Sequence, residues 1–203
     1  PPFLAIRTGT AVAAFAECVG IRRSEYQSLK MFDLGKDELG YDCVIVRRGK
    51  GGKAQMQRIP LNDVALIRSY FDGSKNFVFT KGEMDNKINL HHLRHCMGWR
   101  AYRGYLDRLE QDVTYRSRLT AEVKARWVQC CKRPWSAKAV QGQYHLRGKN
   151  RELAVEAGFP VTYDRLALMA VSVFHLSHWR ADVTVDNYIL AVAKDSLLRG
   201  EER

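Results

Sequence analysis

Residues 41–61, YDCVIVRRGKGGKAQMQRIPL, place β-branched runs on both sides of a tip that is rich in glycine and lysine. This pattern predicts an antiparallel hairpin with an exposed, positively charged tip. A further short extended piece, FVFT, follows at 77–80. Apolar residues recur at helical spacing through most of the remaining chain. The predicted fold class is therefore α+β: mainly α, with a small antiparallel β-sheet near the N-terminal third.

The predicted helices share apolar positions that are three or four residues apart. The first, AVAAFAECVG, stops at Gly20, and a tight joint separates it from a second short helix. The last has the apolar stripe of an amphipathic helix. The stretches with helical spacing are residues 11–20, 22–32, 61–71, 87–106, 163–178 and 181–200.

The 203 residues, 46% of them hydrophobic, are enough for one sizeable domain with its own core. The chain has no run of about 18 apolar residues, the length that a membrane span needs. Its start, PPFLAIRTGT, lacks the layout of a signal peptide. We therefore expect a cytoplasmic protein without a membrane partner. The five cysteines form no C-x-x-C pair, which disfavours both a disulfide framework and a zinc ribbon.

The charge of the chain favours a polyanionic partner, nucleic acid above all. The formal net charge is +11 and the pI is near 9.6, which surrounds the molecule with a positive field. The excess is uneven: between Arg108 and Arg151 there are eleven Lys and Arg against three acids, a balance of +8.

The stretch INLHHLRHCMGW, residues 88–99, holds three of the six histidines. On a helix, His91 lies three residues from Arg94 and four from His95, so the three side chains share one face. A zinc site from His91 and His95 is disfavoured, because the zincin pattern needs a glutamate after the first histidine and residue 92 is another histidine. Histidines that cap or fill a helix contact are the structural alternative.

Four short motifs in the chain occur in one particular order: GIRRSE at 20–25, KGGKAQMQRIPL at 50–61, HHLRH at 91–95, and LSH at 176–178 followed by Tyr188. In this order they resemble the motifs of the catalytic domain of the tyrosine recombinases, the phage-integrase family. Each motif is weak alone, but together they cover both ends of the chain. The resemblance implies the fold of that catalytic domain.

Carried over residue by residue, the resemblance implies that Arg22 and Arg94 bind the scissile phosphate, with His91 and His178 as the site histidines and Glu25 as a brace. The chemistry agrees with these roles. A phosphodiester repels nucleophiles, so a site must offer fixed cations to its two non-bridging oxygens, and bidentate guanidiniums do this well. His91 is the candidate general base, although the sequence does not separate it from His178.

The resemblance further implies Tyr188 as the nucleophile and Lys50, on the hairpin tip, as the acid that protonates the leaving 5′ oxygen. The energy of the cleaved phosphodiester bond is kept in a 3′-phosphotyrosine bond, so rejoining the strand needs neither ATP nor metal. No other cofactor is expected. His95 would support the fold. Further basic residues near the motifs are expected to contact DNA: Arg23, Arg47, Arg48, Lys53, Arg58 and Arg180.

The resemblance implies double-stranded DNA as the partner and a homotetramer on two duplexes, and it leaves a monomer open for the free chain. Integration or excision of a mobile element, close to the nucleoid, is the expected setting. We interpret residues 1–203 as the catalytic domain, a fragment without the N-terminal domain that clamps DNA in such recombinases. A type IB topoisomerase that relaxes supercoils and a non-catalytic DNA-binding module remain alternatives.

The chain departs from the family in the spacing of its motifs and at single residues. Arg94 and His178 are 84 positions apart, whereas the family has a few tens, so about 107–160 is interpreted as a basic insertion that adds DNA contacts. A solvated helical decoration is the alternative. Ser177 stands where the family's L-G-H motif has glycine, and Cys96 follows HHLRH where the family commonly has threonine. Neither of these two substitutions removes a catalytic group.

Overall fold

The computed structural model describes residues 10–49, 52, 54–73, 76–85 and 87–198. Within these residues the protein is mainly helical with small antiparallel sheets, which confirms the predicted α+β class. The chain divides between Met97 and Gly98 into two compact units. No helix in the described residues combines the length and the apolar character that crossing a bilayer requires.

The first unit contains short helices and a small sheet. Its helices are α1 (Ala11–Cys18), α2 (Arg23–Tyr26), α3 (Val64–Ser69) and α4 (Lys81–Met84). Its strands are β1 (Leu34–Lys36), β2 (Asp42–Val46) and β3 (Gln55–Arg58).

The predicted hairpin is present as β2 and β3, which pair in antiparallel fashion with Val44 opposite Gln57. Within the described residues the sheet has the order β1-β2-β3. Strand β1 was not predicted, because its sequence, LGK, carries no β-branched residue. The lysines of the predicted tip, Lys50 and Lys53, lie outside the described residues.

The core of the first unit is built around Phe15 of α1. Thr10 caps this helix by accepting a hydrogen bond from the Ala13 amide (3.3 Å). The Phe15 ring makes edge-to-face contacts with Tyr26, Tyr70 and Phe79, at centroid distances of 5.2 to 5.8 Å. These contacts tie the first two helices to the segments that follow the sheet.

A long helix, α5 (Leu90–Gln111), forms where the sequence predicts one and carries the histidine-rich stretch. Asn89 caps it, because its side-chain oxygen accepts a hydrogen bond from the His92 amide (3.0 Å). The boundary between the two units lies inside this helix.

The second unit continues from the C-terminal part of α5. Its other helices are α6 (Tyr115–Cys130), α7 (Gly148–Glu156), α8 (Arg165–Val171), α9 (Ala181–Thr184) and α10 (Leu190–Leu198). Two π-helical turns follow α8 and α9, at Ser172–Leu176 and Val185–Ile189. Strands β4 (Gln143–His145) and β5 (Thr162–Asp164) pair in antiparallel fashion.

The segment 107–160 contributes to the core of the second unit. Leu119, Val123 and Trp127 of α6 are buried, and α6 packs against α8. The segment is therefore part of the unit's hydrophobic core as well as of its basic surface.

The sheet of β4 and β5 was not predicted, because QYH and TYD are too short to show an alternating pattern.

Candidate functional site

In the first unit, Arg22 and Glu25 are fixed to each other at the start of α2. The Arg22 amide donates to Glu25 Oε2 (2.7 Å) and its Nη1 donates to Oε1 (2.8 Å). The Glu25 side chain is 2% exposed, whereas that of Arg22 is 30% exposed. Because both carboxylate oxygens are used, the guanidinium is held in one orientation and still reaches the surface.

The neighbouring Arg23, which we expected to contact DNA, takes a different position. Its guanidinium donates to the backbone carbonyl oxygens of Met84 and Ile88. These bonds join α2 to the end of α4 and to the segment that leads into α5. The structure therefore gives Arg23 a role in holding the fold.

The His91 and His95 rings face each other one helical turn apart. Their Nε2 atoms are 3.1 Å apart and their ring centroids 4.2 Å. His91 is exposed and His95 is buried. One Nε2 must carry the proton that the other accepts. For His91 to take a proton from a substrate, it would have to use Nδ1 or turn away from His95.

Arg94 lies in the interior of the first unit, with 2% of its surface exposed. Burial raises the pKa of the Tyr26 phenol well above its usual range, and the positive charge of Arg94 opposes this rise. The structure thus places Arg94 close to a buried phenol, away from solvent.

His92, the remaining histidine of this stretch, contacts a cysteine. The Cys96 Sγ, one helical turn further along α5, is 3.4 Å from the His92 Nε2.

In the second unit, the structure brings His178 and Tyr188 together. Their rings stack with centroids 5.3 Å apart and an interplanar angle of 22°. Tyr188 belongs to the second π-helical turn and is 7% exposed. Such π-helical turns are frequent at functional sites. A phenol and an imidazole from positions ten residues apart are therefore held as one pair.

Ser172 orients the His178 ring. This serine is fully buried, its Oγ accepts a hydrogen bond from the Arg180 amide (2.7 Å), and its Oγ is 3.0 Å from His178 Nδ1. Among the described residues, Nδ1 is the hydrogen-bond partner to which the hydroxyl can donate its proton. When the hydroxyl donates to Nδ1, the neutral ring carries its proton on Nε2.

The loop that carries His178 has two residues in the left-handed region, Ser177 (φ 55°) and Trp179 (φ 63°). That region costs a residue other than glycine about 1–2 kcal/mol. Position 177 is where the recombinase motif has glycine. The backbone at this position thus has the conformation that glycine adopts most readily.

We expect Ser177→Gly to stabilise the protein by about 0.5–1 kcal/mol, since the relief of left-handed strain exceeds the extra entropy that glycine gains on unfolding. The midpoint of urea unfolding measures the change. Ser177→Ala is the matched control and should give no gain, because alanine keeps the Cβ. Equal stability of the glycine and alanine variants would contradict the left-handed assignment.

Among the basic residues near the hairpin, Arg58 was expected to contact DNA, and that expectation does not fit the structure. Its side chain is 5% exposed and its Nε donates to the buried Asp37 carboxylate at 2.6 Å. Arg47 is exposed but is paired with the buried Asp33 (2.6 Å), and Arg48 is exposed. Arg58 is a buried ion-pair residue of the sheet, whereas Arg47 and Arg48 remain at the surface.

In the second unit, the basic surface follows the segment 107–160 and the loop after His178. Arg180 is exposed and pairs with Asp182, and its hydrogen bonds lower the pKa of that carboxyl. Arg126 is buried. The exposed cations of the segment are Arg108, Arg116, Arg118, Lys124, Lys132, Arg133, Lys138, Arg147, Lys149 and Arg151.

Sequence reasoning missed Ser172. A signal was present, because Ser172 is a hydroxyl within the strongly apolar stretch LALMAVSVF, and a buried polar group needs a partner. What the pattern could not supply was the π-helical turn that directs this hydroxyl towards a histidine six residues later.

The described residues hold no group of three or more His, Cys, Asp or Glu side chains arranged to bind a metal ion. Comparison of the chain with protein-family models, with curated proteins and with solved structures gives no match.

Proposed function

We propose that the chain is the catalytic domain of a tyrosine recombinase, a DNA strand-cleaving and rejoining enzyme with a 3′-phosphotyrosine intermediate. The observation that carries the proposal is the pair of Tyr188 and His178, stacked at 5.3 Å in the second unit. The four sequence motifs add the remaining groups in the order that such recombinases use.

The proposed reaction is a phosphoryl transfer to the phenol of Tyr188. The Tyr188 oxygen forms a bond to phosphorus while the bond from phosphorus to the 5′ oxygen breaks. The phenol proton passes to a base, for which His91 is the candidate, and the leaving oxygen takes a proton from Lys50. Religation reverses these steps, so the reaction consumes no ATP.

The proposal gives each of the remaining groups a role at the scissile phosphate. Arg22, braced by Glu25, and Arg94 would bind the non-bridging oxygens. His178 would add a hydrogen bond from Nε2, which the bond between Ser172 and Nδ1 supports. Each of these interactions would become stronger as negative charge develops on the phosphate in the transition state. Interactions that are stronger there than in the ground state accelerate the reaction.

The test is covalent capture of DNA. The 203-residue chain is incubated with a library of nicked duplexes of random sequence around the nick, which lose the cleaved end and trap the phosphotyrosine. We expect an adduct that survives denaturing electrophoresis. Binding without any adduct would refute the enzymatic proposal.

Two other functions share parts of this site. A non-catalytic DNA-binding module is favoured by the burial of Arg94 (2% exposed) and Tyr188 (7% exposed), since both must reach a phosphate in catalysis. A type IB topoisomerase would use the same chemistry as a monomer. Relaxation of a supercoiled plasmid without joining of separate duplexes would favour the topoisomerase.

On the proposed function, the partner is double-stranded DNA, and four protomers assemble on two duplexes to exchange strands in pairs. Integration or excision of a mobile element is the proposed setting. The exposed cations of the segment 107–160 would then contact DNA phosphates outside the cleavage site.

We expect the triple variant Lys124→Gln, Lys132→Gln, Lys138→Gln to weaken DNA binding and reduce its salt dependence. Each lost phosphate contact lowers the slope of log K against log salt by about 0.9. Fluorescence anisotropy with a duplex at several salt concentrations measures both quantities.

The matched control removes three exposed lysines of the first unit, in Lys36→Gln, Lys81→Gln, Lys87→Gln. This change lowers the net charge equally. If both triple variants reduce the slope to the same extent, general charge and not the segment 107–160 determines the affinity.

A further inference from the structure

The loop that carries His178 is held from outside its own helix by the segment 107–160. Arg133 Nη2 donates a hydrogen bond to the carbonyl oxygen of Trp179, the residue after His178. The Trp127 ring of α6 contacts the Trp179 ring edge to face, with centroids 6.0 Å apart. Two contacts therefore meet on a residue whose backbone is in the left-handed region (φ 63°).

Arg133 is itself fixed in place. Trp127 Nε1 donates to the Arg133 carbonyl oxygen at 2.8 Å, and the Arg133 guanidinium lies 5.1 Å from the centroid of the Trp127 ring. Trp135 packs edge to face on Trp127, with centroids 5.9 Å apart. The donor that reaches Trp179 is thus anchored by an aromatic pair within the same segment.

A left-handed backbone at a bulky residue persists when its surroundings determine it. From the π-helical turn before the loop, Ser172 contacts His178 Nδ1 and accepts from the Arg180 amide. From the segment 107–160, Arg133 and Trp127 contact Trp179. We infer that Arg133, carried by the segment 107–160, is a positioning residue that sets the place of the His178 ring.

The expected effect of Arg133 on the reaction rate rests on the proposed function. The effect of Arg133 on the position of the His178 ring can be tested independently of that function. The competing interpretation is that Arg133, an exposed cation on a basic surface, contacts a DNA phosphate. A phosphate contact changes affinity and its salt dependence, whereas a positioning residue changes the environment of His178 and the rate on bound DNA.

The first experiment uses free protein labelled with ¹⁵N at histidine, with His178 assigned by comparison with His178→Gln. We expect Arg133→Met to shift the Nδ1 and Nε2 resonances of His178. Arg133→Lys, which keeps a donor for the Trp179 carbonyl, should restore part of the shift. Lys132→Met, which removes the adjacent exposed cation, is the control and should leave the resonances in place. Unchanged His178 resonances in Arg133→Met would overturn the inference.

The second experiment measures adduct formation at saturating DNA, with a nicked duplex recovered from the random library. We expect Arg133→Met to lower this rate about tenfold, while its affinity falls no more than that of Lys132→Met. Loss of affinity with an unchanged rate on bound DNA would make Arg133 a phosphate contact. If the wild-type protein forms no adduct, the proposed function fails, and the resonances of His178 still decide whether Arg133 positions it.

Discussion

Replacing Tyr188 by phenylalanine is expected to abolish the covalent protein–DNA adduct. On the proposed function the phenol oxygen is the atom that bonds to phosphorus, and phenylalanine has no oxygen in its place. Phenylalanine keeps the ring that stacks on His178 and the buried volume of the π-helical turn, so the fold should persist. Denaturing electrophoresis after incubation with the nicked library measures the loss.

The chain has eight other tyrosines, which makes a matched control necessary. Tyr144 lies on β4 in the same unit and is partly exposed, so Tyr144→Phe should retain adduct formation. Should Tyr188→Phe still form adducts, the nucleophile is another residue. Mass spectrometry of the DNA-linked peptide would then identify it.

Arg22→Met is expected to slow adduct formation by about 10²- to 10³-fold, equivalent to roughly 3–4 kcal/mol of transition-state stabilisation. Arg22 is a more direct test than Arg94, because 30% of its side chain is exposed and Arg94 is buried. The rate at saturating DNA is the quantity to compare, since affinity also depends on many other cations.

Removing Arg22 leaves the buried carboxylate of Glu25 without its guanidinium partner, which can destabilise the fold. The double variant Arg22→Met, Glu25→Gln removes that charge and should regain stability without regaining rate. Thermal unfolding of both variants separates the two effects. A double variant that cleaves as fast as the wild type would mean that Arg22 does not bind the phosphate.

Much of the fold could be predicted from periodicity. The hairpin of β2 and β3 and the long helix α5 are long enough for their apolar pattern to identify them. Strands β4 and β5 are three residues each, and their pairing depends on contacts distant in sequence. The burial of Arg58 could not be predicted either, because it depends on Asp37 being placed beside it by the sheet.

The candidate site was predictable where one helix determines the geometry. The contact between His91 and His95 follows from their spacing of four residues on α5. The placement of His178 does not follow from spacing, because it depends on a π-helical turn and on two residues with positive φ. Motif resemblance predicted a role for this histidine, but the hydroxyl and the guanidinium that contact its loop belong to none of the motifs.

Ser172 allows the imidazole of His178 to gain a proton while its Nε2 stays a hydrogen-bond donor. In the neutral ring whose Nδ1 accepts from the hydroxyl, the proton of the ring is on Nε2. When the ring gains a second proton at Nδ1, the hydroxyl oxygen can turn to accept it, and Nε2 keeps its own. An oxyanion facing Nε2 would therefore meet a hydrogen-bond donor whether the ring is neutral or protonated.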